Sequence, residues 1–125
     1  MTKQASIDSS HDQETNRHAL DSFLQSLNHL QDIDQGFPLQ YAVCLIEIAR
    51  DEGLSPTALA QRTNLALSTV SRIIAALSEH RPNGRSYQLI SITTASGGRR
   101  RKTLHLTTAG HIAIQNILHC LLNRP

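Results

Sequence analysis

Ser68, Thr69, Ser71 and Arg72 cluster at the front of a segment in which Val70, Ile73, Ile74 and Leu77 recur at helical spacing. Wound into a helix, the apolar set packs inward and leaves the hydroxyls and the guanidinium nearer the outer surface. Short hydroxyls reach phosphates and base edges, while an arginine offers a planar donor fork that matches guanine or phosphate. Thr57 and Gln61, in the stretch just before, are further candidates for phosphate contact. Arg99, Arg100, Arg101 and Lys102 follow Gly97 and Gly98 as a run of cations on a flexible tip, suited to a narrow minor groove. Together these residues suit recognition of a duplex polyanion.

The charge distribution agrees. The formal net charge is +2, yet up to His80 five basic residues stand against ten acids, and from Arg81 onward seven basic residues stand against none. An uncompensated basic half attracts a polyanion. Catalysis has no comparable support, because there is no glycine-rich phosphate loop and no nucleophile motif. Asp51 and Glu52 sit at a helix end, where acids most simply give solubility and a stop, and the chain is read as no enzyme. The histidines (His11, His18, His29, His80, His105, His111 and His119) are scattered without a third ligand at metal spacing, so neither metal nor cofactor is expected. Cys44 and Cys120 lie in apolar helical patterns and read as buried thiols, not a disulfide. No apolar run is long enough for a membrane span, and the expected location is the cytoplasm.

The elements that must hold these residues can be read from periodicity. Residues 1–12 read as a disordered tail. Leu20, Phe23, Leu24, Leu27 and Leu30 give one amphipathic helix within 13–35, ended by Asp34-Gln35-Gly36. Pro38 suits the first turn of a central helix reaching Arg50 that is apolar almost all round. Ser55 and Pro56 offer a cap and first turn for a short helix, and Asn64 suits a turn with unusual dihedrals before the helix that carries Ser68 to Arg72. After a loop from His80 to Ser86, the segments Tyr87–Thr94 and Arg100–Leu106 form a hairpin. A final helix from Thr107 or Thr108 bears Ile112, Ile114, Ile117, Leu118, Leu121 and Leu122. The first and last helices expose more apolar face than a small core can cover, and a homodimer through Leu20, Phe23, Leu24, Leu27, Ile114, Ile117, Leu118 and Leu121 would cover it.

Four phrases, in order, resemble the MarR-type winged helix-turn-helix transcription regulators: Pro38-Leu39-Gln40-Tyr41-Ala42-Val43, Leu54-Ser55-Pro56 with Leu59-Ala60, Ser68-Thr69-Val70-Ser71-Arg72, and Leu106-Thr107-Thr108-Ala109-Gly110. The resemblance covers roughly residues 37–110. Its wing arginine falls on Arg100, and Gly98 stands where the family has an aspartate. The resemblance implies a mainly α fold with a β-hairpin wing, in which residues 36–106 form the DNA-binding domain and helices in 13–35 and 107–125 form the dimerisation region. It further implies a sequence-specific regulator of double-stranded DNA, a repressor acting as a homodimer on a pseudo-palindromic operator, with room for an unidentified small-molecule effector. The alternatives are a winged-helix accessory protein of a plasmid, phage or replication origin, and a protein-interaction adaptor.

Overall fold

The computed structural model describes residues 9–79, 86–95 and 101–122, with side chains from residue 11. Five helices and one hairpin follow in order: α1 (Ser9–Ile33), α2 (Leu39–Arg50), α3 (Pro56–Thr63), α4 (Leu67–Ser78), β1 (Ile90–Ala95), β2 (Arg101–Leu106) and α5 (Thr108–Leu122). Helix α1 is described from Ser9, so it already includes residues 9–12 of the stretch expected to be a tail. Residues 1–8 of the expected tail, 80–85 of the expected loop, 96–100 of the expected tip and 123–125 lie outside the described residues.

Local chemistry sets most boundaries. Pro38 is the N-cap of α2, one position before its expected place, in an extended conformation from which its carbonyl accepts from the N–H groups of Tyr41 and Ala42. Ser55 caps α3 with Pro56 at the start, and Asn64 ends it in the left-handed region at φ 58°. Gly53, at φ +99°, turns the chain between α2 and α3 where a side chain would be strained.

The core forms where α2, α3 and α4 meet the base of the hairpin. Cys44, Leu45, Ile48, Leu59, Val70, Leu77, Ile90 and Leu104 are fully buried there. Helix α2 is apolar nearly all round but is not buried all round, because only one face meets α3, α4 and β2; Leu39, Val43 and Ile46 remain exposed. The hairpin is antiparallel, with Ile90 opposite Leu106 and Ala95 opposite Arg101. Strand β2 is stitched to the α2–α3 turn by backbone bonds from Gly53 N–H to the Leu104 carbonyl at 2.7 Å and from Leu104 N–H to the Leu54 carbonyl at 3.0 Å.

Helix α1 packs along α5, and its buried face differs from the leucine stripe. Ser22, Ser26 and Leu30 are buried, with the Ser26 hydroxyl donating to the Ser22 carbonyl at 2.9 Å, while Leu20, Phe23 and Leu24 are more than half exposed and Leu27 lies at the edge of exposure. Small side chains let the two helices approach closely, and the bulky stripe faces away from this chain. On α5, Leu118 and Leu121 are exposed, Ile114 is half-buried, and Ile117 belongs to the chain's own core.

Candidate nucleic-acid interface

Three elements meet at one open cleft of about 500 Å³, lined by Ser55, Pro56 and Thr57 of the α3 start, Leu67 and Ser71 of α4, and Arg101 and Lys102 of β2. Among the described residues, no carboxylate lines it. The cleft brings together candidates from three separate stretches of sequence: Thr57, Ser71, Arg101 and Lys102 all line it and are all exposed. Ser68 and Arg72 are exposed on α4 and Gln61 on α3, outside the cleft lining, while Thr69 is half-buried. Arg99 and Arg100 lie outside the described residues. Among the described residues, the side chains of Ser68, Ser71 and Arg72 make no hydrogen bond or ion pair within the chain, whereas Arg62 of α3 is held by Asp51 at 2.7 Å.

The start of α4, like that of α2, has no side-chain cap, unlike those of α3 and α5. Ser55 caps α3 by accepting from Ala58 N–H at 3.0 Å, and Thr107 caps α5 by accepting from Gly110 N–H at 3.0 Å. Ala66, in the cap position of α4, has no side-chain oxygen to offer, and Ser68 lies within the helix instead of capping it. The first helical bond runs from Val70 N–H to the Ala66 carbonyl, so the N–H groups of Leu67, Ser68 and Thr69 are left for a partner from outside. An anion suits them, since a helix start carries partial positive charge.

The wing is fixed by groups that the sequence did not mark. Glu52, expected only to help end a helix, accepts from Leu106 N–H at 2.9 Å through one oxygen and lies 3.5 Å from the His111 ring through the other. It thus joins the α2–α3 turn to the base of the wing and the first turn of α5. On the other side of the hairpin, Thr107 donates its hydroxyl to the Gln88 carbonyl at 2.7 Å. Tyr87 donates to Asp34 at 2.5 Å and packs against Phe37 and Tyr41, with ring centroids 5.0 and 6.0 Å away. Leu67 was also missed as a cleft residue: it is in phase with Val70 and Ile74, yet it is 50% exposed, because none of the described residues covers it fully at the first turn of α4.

The architecture has counterparts among solved structures. The transcriptional regulator Tm0710 from Thermotoga maritima superposes with a TM-score of 0.67 at 18% identity, over 91% of this chain and 74% of that one. A mutant of MepR from S. aureus, bound to an oligodeoxyribonucleotide, gives 0.63 at 17% identity over 91% and 75%. MarR gives 0.56 at 21% identity over 93% and 75%. The chain has the MarR fold. Within it, residues 48–81, from the end of α2 through α4, match the IclR helix-turn-helix domain, so the helix-turn-helix is also found from sequence alone. By sequence, no curated protein matches the chain. The cleft lies where the α4 front and the hairpin are side by side, and the hairpin is the expected wing.

Proposed function

We propose that the protein is a transcription regulator that binds double-stranded DNA sequence-specifically as a homodimer, with residues 36–106 as the DNA-binding unit. The observation that carries this reading is the cleft itself: hydroxyls, two cations and an uncapped helix start converge there with no opposing acid. Helix α4 would enter the major groove while Arg101 and Lys102, continued by Arg99 and Arg100, grip phosphates beside it. The exposed stripe of α1 and residues Leu118 and Leu121 of α5 would meet their equivalents in a second copy, setting two α4 helices on successive half-sites of a pseudo-palindromic operator. Occupying a promoter would repress by exclusion. A cavity of about 330 Å³ between α1, α5 and the wing base, bordered by His29, Ile33, Tyr87 and Ile112, is where a small-molecule effector would act on the wing.

Fluorescence anisotropy tests the reading, using labelled duplex fragments from upstream of the gene titrated with full-length protein at two salt concentrations against unrelated duplex. Binding to one fragment that survives competitor is expected, and Arg101→Ala should weaken it and lower the salt slope by about 1 for each subunit. Weak binding to every fragment that vanishes with salt would leave only polyanion attraction, and no binding at all would favour an adaptor.

A further inference from the structure

Leu67 is out of character with its surroundings. Leu20, Phe23 and Leu24 of α1, with Leu118 and Leu121 of α5, are exposed on faces suited to a second copy, whereas Leu67 lines the cleft with Thr57, Ser71, Arg101 and Lys102. A single exposed leucine is ordinary, but its place is not. The two cations beside it would lose hydration against an apolar protein partner, and a DNA duplex is the partner whose charge fits them. In the major groove of such a duplex, the thymine C5-methyl is the apolar group on offer. Leu67 opens α4, and the N-terminal residues of a reading helix lie nearest the base edges. Ser71, one turn later on the same cleft wall, would reach the backbone or a neighbouring base edge.

We infer that Leu67 is a specificity-determining residue that packs against the C5-methyl of one thymine in each half-site. The assignment rests on the DNA-binding reading and adds a base preference that hydroxyls and cations alone do not impose. Burying one methyl against one side chain corresponds to about fourfold in affinity.

The test begins with duplexes selected by the full-length chain from a random-sequence library. In the tightest duplex, each thymine is replaced in turn by uracil, which removes only the methyl, and affinities are compared for the native chain, Leu67→Ala and Leu67→Met. One thymine per half-site should weaken native binding about fourfold when replaced. Leu67→Ala should be indifferent to that replacement, and Leu67→Met, which keeps an apolar side chain of similar reach, should remain sensitive. Equal uracil sensitivity in Leu67→Ala, or none at any thymine in the native chain, overturns the assignment while leaving DNA binding intact. Failure to enrich any duplex overturns DNA binding and the assignment together. Unchanged thermal unfolding of Leu67→Ala, expected for a half-exposed side chain, separates loss of contact from loss of fold.

Discussion

Single residues do three different jobs in this chain: Ser55 and Asn64 shape local turns, Glu52 and Tyr87 join distant segments, and Cys44 buries a thiol in the core. Ser55 as a cap and Asn64 in a left-handed turn follow from local chemistry, which acts over one turn and is written in the residues themselves. The links from Glu52 to Leu106 and from Tyr87 to Asp34 span more than fifty positions, and no periodicity announces them. Cys44 belongs to a third kind, recognised as buried but with an unsuspected chemical consequence. Burial, with a smaller contribution from Glu47, pushes its thiol up from 9.0 to about 11. A raised thiol favours the folded state fully below the unfolded value and loses that advantage as pH climbs toward the folded one. Stability should therefore fall by about 2 to 3 kcal/mol between pH 9 and 11. Urea unfolding across that range checks it: Cys44→Ala should lack this part of the alkaline decline, and an identical decline in both proteins would sink the account. In the native protein near neutral pH, a thiol reagent should leave Cys44 unmodified until the chain unfolds.

At the scale of elements, the order of helices and the hairpin was readable because each apolar run has the period of its structure, and turn residues punctuate them. What the pattern withheld is how the wing is held to the helices. Thr107 caps α5 and ties itself to Gln88, and its N–H donates to the Leu89 carbonyl at 3.0 Å. Gly110, one turn into α5, lies against that same carbonyl, so a Cβ there would overlap Leu89 backbone oxygen and crowd Leu106. Gly110→Ala should cost about 3 kcal/mol, since backbone on both sides must move. Thr107→Val, which keeps the shape but removes the hydroxyl, should cost about 1 to 2 kcal/mol. Denaturant midpoints rank the two; a Gly110→Ala chain as stable as the native one would mean that α5 does not approach the hairpin so closely.

For the whole molecule, the apolar stripe of α1 was visible from its spacing, but spacing tells which face is apolar and not whether its partner lies in the same chain. The structure gives α5 the serine face and leaves Leu20, Phe23 and Leu24 outside. If a second copy covers them, Phe23→Glu should turn a dimer into a monomer by sedimentation. Its duplex affinity should then fall at least tenfold, because each half-site must be bound alone. A native chain that sediments as a monomer at micromolar concentration would overturn the shared-stripe model. The pairing of α1 with α5 also bears on how the protein is made. Everything between Ile33 and Thr108 must leave the ribosome before α1 meets the helix it packs along. Throughout that interval both the serine face and the leucine face of α1 are uncovered, so the nascent chain carries its most adhesive surface for longest. A cell short of chaperone capacity should lose this protein during synthesis, before the finished fold is ever challenged.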